Sequence, residues 1–164
     1  MAAAVAAFFR SYYGENCPHI IIVEPHAANC FYRTAEANDD KLHSVGGDMN
    51  TIMAGLACGE PCSLAWDLLG HCAAAFISCP DYAAADGMRV LAAPLGDDPA
   101  LISGESGASA FGCALNILRD PELSVLKEQL KIGENSRLLF ISTEGDTDKE
   151  NYRRIVMEGA YSKA

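Results

Sequence analysis

Residues 19–25 read HIIIVEP, and the four β-branched residues Ile20 to Val23 follow one another without a polar residue between them. A strand on the surface of a sheet alternates polar and apolar side chains. A continuous β-branched run is the pattern of a strand covered on both faces, as in a parallel sheet flanked by helices. Pro25 closes it, because proline cannot continue a hydrogen-bonded ladder.

The rest of the chain continues the alternation. Residues 5–13 read as a helix ending at Gly14, and AANCFYRTAEAN reads as another. DDKLHSVGGDMN is polar and glycine-bearing, which predicts a surface loop. TIMAGLACGEP has short apolar runs and two glycines, consistent with one or two brief strands. After Pro61, CSLAWDLLGHCAAA has helical spacing through Leu64, Trp66, Leu68 and Leu69, with Ser63 in capping position. AFISC predicts a short strand, and PDYAAADGMRVLAAPL a helix with Pro80 near its start.

GESGASAFGCALNILRD enters a helix through glycine and serine. PELSVLKEQLKIG predicts an amphipathic helix with Pro121 in its first turn, Leu123, Leu126 and Leu130 on one face, and Gly133 beyond its end. RLLFIS predicts a third strand, and DTDKENYRRIVMEGA a closing helix capped by Asp146 or Thr147. The expected class is α/β, three-layer, with a mainly parallel sheet flanked by helices, and residues 1–164 are expected to form one domain. About three strands among so many helices, with a helix first, is the pattern of a piece of a larger α/β domain.

Several function classes are disfavoured. No apolar stretch reaches the ~20 residues of a membrane span. The apolar start has no basic leader and contains Arg10, so it reads as a packed helix of a cytoplasmic protein. The net charge is −10, and the twelve Lys and Arg are dispersed, which argues against nucleic acid as a partner. The seven cysteines lack paired Cys-x-x-Cys spacing, and most read as reduced, buried small hydrophobes. Cys58 and Cys62 in CGEPC have no second pair to complete a zinc site.

Three segments carry chemistry. Ligands in open parallel sheets bind beyond the carboxyl ends of strands, which singles out the residues after HIIIVE, FISC and RLLFIS. In STEGDTD, Ser142 and Thr143 offer neutral hydroxyls. Glu144, Asp146 and Asp148 are candidates for a hard cation or for capping, though not at EF-hand spacing. SGESGA (residues 103–108) approaches the hydrolase elbow Gly-x-Ser-x-Gly, but Ala108 replaces the second glycine and the four histidines have no motif context. Such a helix entry instead presents N–H groups to an anion or cofactor. Glu24 and His26 form a third candidate, more in keeping with a satisfied surface pair than a catalytic dyad.

Taken in order, IIIVEPHAANC, GGDMNTIMAGLACGEPCSLAWDLL, CPDYAAADGMRVLAAPL, SGESGASAFG and SRLLFISTEGDTDKENYRRIV resemble the C-terminal part of the diaminopropionate ammonia-lyase family. These are pyridoxal-phosphate (PLP) enzymes of the tryptophan synthase β and threonine dehydratase class. The resemblance implies α,β-elimination of 2,3-diaminopropionate to pyruvate and ammonia, with PLP as electron sink. It implies that Ser142 or Thr143 faces the pyridine nitrogen, that Glu105 and Ser106 line the cofactor ring, and that Asp146 and Thr147 bind the substrate's amino groups. Glu24 and the Ala28 carbonyl match positions that hold a cation in some relatives. Cys30 replaces an oxygen ligand there, so no metal is assigned.

The resemblance also implies what to expect missing. The family's Schiff-base lysine, second acid–base residue and phosphate loop precede the matching part, and Lys41, Lys127, Lys131, Lys149 and Lys163 lie in loops or on polar helix faces, none of them at a position that matches the Schiff-base lysine. The chain is therefore expected to be a C-terminal fragment of a homo-oligomeric enzyme, inactive alone and not holding PLP stably. The alternative is a non-catalytic binding or self-associating module, for which the helix AAAVAAFFRSYYG is the expected exposed apolar surface.

Overall fold

The computed structural model describes residues 1–163. It is α/β, with a two-stranded parallel sheet and flanking helices. The chain divides into two compact units, one made of residues 1–51 and 56–78, the other of residues 52–55 and 79 onward.

The first unit contains α1 (Ala2–Tyr13), β1 (Ile20–Pro25), α2 (Cys30–Ala37), α3 (Ser63–Cys72) and nearly all of β2 (Ala73–Cys79), which pairs with β1. Its core gathers Ala6, Ile22 and Leu69, with Ile20, Phe31, Leu68 and Phe76 packed around them. Trp66, Phe31 and Phe76 form a triangle of rings, with the indole centroid 6.0 Å from Phe31 and 5.4 Å from Phe76, and the two phenylalanines 6.4 Å apart. Thr34 ties the following loop to α2 by accepting from the His43 amide at 3.0 Å. The outward face of α1 carries Phe8, 62% exposed, stacked on Tyr12, 72% exposed, so the predicted apolar surface is present.

The second unit contains α4 (Asp81–Ala92), α5 (Glu105–Arg119), α6 (Ser124–Gln129) and α7 (Lys149–Glu158). Small residues set its geometry. Gly87 and Gly112 bring α4 and α5 into backbone contact, and a Cβ on Gly112 would overlap the Ala83 carbonyl. Ala85, Met88, Ala108 and Ile155 form the core beside this seam. Arg89 joins α7 to α4 by donating to the carbonyls of Ile155 and Ala160 at 3.2 and 3.0 Å.

Several expectations are corrected. Residues 51–61 form no strand but a single 3₁₀ turn, Ala54–Leu56. Ser63 is the first residue of α3 rather than its cap, and Cys62 in the capping position makes no side-chain bond. The PELSVLKEQLKIG helix is a 3₁₀ turn, Pro121–Leu123, followed by the six-residue α6, with no buried residue in either. The cap of α7 is Asp148, which accepts from the Asn151 amide at 3.0 Å, not Asp146 or Thr147. Residues 137–142 are not a strand, because among the described residues no neighbour completes a ladder with them. Of the seven cysteines only Cys30, Cys79 and Cys113 are buried, while Cys58 and Cys62 are exposed.

Candidate functional site

In the second unit the segments SGESG and STEG meet at the start of α5. Gly104 occupies the cap position, and its lack of a side chain leaves the first-turn amides of α5 without a local acceptor. Glu144 supplies one from 38 residues away. Its Oε2 accepts from the Ser106 amide at 2.6 Å and the Gly107 amide at 3.2 Å, where the positive end of the helix dipole favours a carboxylate. The Gly104 amide donates to the Glu144 carbonyl at 3.0 Å. Any Cβ on Gly104 would strike the Gly145 carbonyl, so the approach of the two segments requires glycine.

This clamp sets two hydroxyls together. Ser142 Oγ lies 2.7 Å from Ser103 Oγ, whose residue is almost completely buried. Beside them Glu105 is buried and its Oε1 accepts from Asn151 Nδ2 at 2.6 Å. Ser106 Oγ accepts from the Gly55 amide at 3.0 Å, and Ser109 Oγ donates to the Ser106 carbonyl at 2.8 Å. Ser142, Glu105 and Ser106 thus come into one neighbourhood. Thr143 and Thr147 are exposed and Asp146 is half-buried. Asp146 acts on Tyr152, whose phenol is pushed up first by burial and then by that carboxylate.

Sequence reasoning missed Ser103 and the long-range cap by Glu144. The signals were present, in the serine that opens SGESGA and in a helix entry without a capping side chain.

In the first unit Glu24 and His26 do not pair, contrary to the sequence reading. Glu24 is buried and accepts from the Phe31 amide at 3.1 Å and the Tyr32 amide at 2.7 Å, the opening amides of α2. The Cys30 thiol donates to the same carboxylate at 3.6 Å. Burial raises the Glu24 carboxyl above its ordinary value, against the lowering effect of the two amides. Burial, with Glu24 next to it, pushes the Cys30 thiol up to about 11, so Cys30 is an inert thiol. Both Glu24 oxygens are committed to α2, and the described residues contain no group of three or more His, Cys, Asp or Glu arranged to hold a metal.

His26 instead lies 2.6 Å, Nδ1 to Oγ, from Ser78 near the end of β2, and Asn29 Nδ2 donates to the same hydroxyl at 2.9 Å. Ser78 Oγ thus accepts from Asn29 and shares a second hydrogen bond with His26 Nδ1, whose direction is set by the imidazole tautomer. That contact links the ends of the two strands, as three satisfied polar groups.

Residues 1–143 match the family model described as pyridoxal-phosphate dependent enzyme. The diaminopropionate ammonia-lyase of Escherichia coli (strain K12) is 48% identical over 164 residues, covering all of this chain and 41% of the relative. The chain thus spans about two-fifths of that relative's length. The solved holo diaminopropionate ammonia-lyase from Escherichia coli superposes with a TM-score of 0.90 at 46% identity, covering 100% of this chain and 40% of that one. The same enzyme in complex with an aminoacrylate-PLP azomethine reaction intermediate gives a TM-score of 0.89 at 45% identity, covering 100% and 41%. The chain belongs to the pyridoxal-phosphate dependent enzyme family, and what it resembles there is the C-terminal part of diaminopropionate ammonia-lyase.

Proposed function

We propose that residues 1–164 are the C-terminal portion of a diaminopropionate ammonia-lyase, supplying the ring-nitrogen side of the PLP site and part of the amino-acid pocket. The reaction of the complete enzyme is α,β-elimination of 2,3-diaminopropionate to pyruvate and ammonia, in which PLP supplies the electron sink. Similarity to ammonia-lyases along the entire chain supports this reading.

The observation that carries it at the level of residues is the Ser103–Ser142 hydroxyl pair. A pyridine nitrogen needs a hydrogen-bond partner. A carboxylate partner accepts from a protonated ring and its negative charge favours that form; a hydroxyl donates to the bare nitrogen and leaves it largely neutral. Glu144, the nearest acid in sequence, has its carboxylate committed to the Ser106 and Gly107 amides, so the donor set around Ser142 is neutral and fits the ring. Ser142 donates to the nitrogen and Ser103 holds its hydroxyl in place. Glu105, pinned by Asn151, and Ser106 line the ring, and Asp146 and Thr147 receive the substrate's amino groups.

The Schiff-base lysine and phosphate loop belong to the preceding part of the family's fold, so this portion alone neither eliminates ammonia nor holds PLP stably. Catalysis belongs to a cytoplasmic homo-oligomer that contains both parts. Intact mass after incubation with PLP and borohydride tests the reading. The expected result is no stoichiometric adduct, or weak labelling spread over the five lysines. One stoichiometric adduct at a single lysine, or pyruvate formed by the chain alone, overturns it.

A further inference from the structure

Apart from the candidate site, the first unit carries a cleft of about 190 Å³ between the end of α2, the loop that follows it, α3 and β2. Trp66 and Phe76 give it an aromatic wall, with ring centroids 5.4 Å apart. Phe31 stacks on the indole at 6.0 Å with the planes 15° apart and holds it in place. Gly70, one turn along α3 from Trp66, leaves the edge of the indole open, since a Cβ there would stand 3.2 Å from Cε2.

The loop brings charge to this wall. Asp39 and His43 are used up in shaping the loop itself: Asp39 Oδ1 accepts from the Lys41 amide at 3.2 Å and lies 2.9 Å from His43 Nε2. Thr34 anchors the same loop through the His43 amide. Asn38 and Asp40 take left-handed backbones, with φ of 46° and 60°, which Asn and Asp tolerate better than other residues with a side chain. Asn38, Asp40 and Lys41 are exposed and line the cleft, and among the described residues their side chains have no hydrogen bond or ion pair.

We propose that this cleft is a binding site for a free α-amino acid with an apolar side chain. The apolar body lies against Trp66 and Phe76, the ammonium meets the Asp40 carboxylate, and the carboxylate meets the Lys41 ammonium and the Asn38 amide. A plain anion is opposed by Asp40 and by the net charge of −10, and a plain cation is opposed by Lys41, whereas a zwitterion is matched by both. The space holds about six waters at ~30 Å³ each, which suits an amino acid and excludes a nucleotide. Both charges are exposed and screened, so apolar contact dominates and the affinity is modest. The inference is independent of the function proposed above, because every lining residue belongs to the first unit and the ligand is not the cofactor.

Trp66 is the only tryptophan of the chain, so its fluorescence reports on this cleft alone. Titration with L-leucine tests the proposal, and amide NMR of the labelled chain gives a second readout that needs no change in emission. The expected result is saturable binding with Kd ~1 mM and amide shifts concentrated at residues 34–41 and at the Trp66 indole N–H. Isopentylamine and 4-methylpentanoate, which keep the apolar body with one charge each, bind at least about fivefold more weakly. Asp40→Asn, which keeps a residue tolerant of the left-handed backbone, and Lys41→Gln each weaken leucine binding by about threefold or more. Unchanged hydrogen exchange of α2 and α3 is the control for folding. Three outcomes overturn the proposal: no saturable change by either readout, shifts that map away from residues 34–41 and Trp66, or an affinity indifferent to the two analogues and the two substitutions.

Discussion

Helices α2 and α5 begin in the same way and are completed differently. Their cap positions are Asn29 and Gly104, and neither makes a capping side-chain bond. In each case a glutamate from elsewhere accepts from two first-turn amides. Glu24 serves α2 from seven and eight residues upstream and is buried. Glu144 serves α5 from 37 and 38 residues downstream and is half-buried. The first cap stiffens a local strand-to-helix corner. The second brings together two segments distant in sequence and so creates the hydroxyl pair of the candidate site. The same electrostatic device is structural in one unit and site-building in the other.

The largest effect is expected from removing what holds α5 in front of Glu144. Gly112→Val places a branched side chain against the Ala83 carbonyl and should cost about 3 kcal/mol, as in overpacked cores. Hydrogen exchange should show α4 and α5 loosening while the amides of Phe31 and Tyr32 stay protected. Equal loosening of both caps would end the view that they are independent.

The caps themselves come next. Glu24→Ala should cost about 2 kcal/mol, because two part-buried amides lose an acceptor that is itself buried. Glu144→Ala should cost about 1 kcal/mol, since its half-buried position admits water, but it should release residues 142–145 from α5. Denaturant unfolding measures both. A larger loss for Glu144→Ala would reverse the comparison.

The smallest effect is a pH dependence confined to Glu24. Its folded carboxyl titrates above the ordinary 4.5, first because of burial, so the folded state binds that proton more tightly than the unfolded chain. The associated stability is fully present below about 4.5 and is lost as pH rises through the folded value. Glu24→Gln removes the titration. The wild-type Tm minus that of Glu24→Gln should therefore fall as pH rises above about 4.5, and a flat difference refutes the assignment.

Legibility in the sequence followed the range of the interactions. β1 and β2 were visible as β-branched and apolar runs, and α1 to α5 as periodic or small-residue segments between breakers, because these signals come from neighbouring residues. Asp148 was passed over for Asp146 and Thr147 because all three sit before the same helix, and only the backbone path decides which carboxylate reaches the Asn151 amide. RLLFIS carries a strand's sequence, but a strand also needs a ladder partner, which no local pattern supplies. The 3₁₀ turn at Ala54–Leu56 replaces the brief strands suggested by TIMAGLACGEP, and Gly55 there donates to Ser106, a partner 51 residues away.

The sequence by itself determined the α/β class, the family resemblance and the chemical character of the site, because hydroxyls and small residues clustered in SGESGA and STEG are local facts. Only the tertiary structure decided that Ser103 meets Ser142, that Glu144 is a helix cap, that Glu24 turns to α2 and not to His26, and that residues 137–142 lack a strand partner among the described residues. Each depends on chain segments brought together by packing, above all by the glycine seam of α4 and α5, and distances of that kind are not encoded in any window of neighbouring residues.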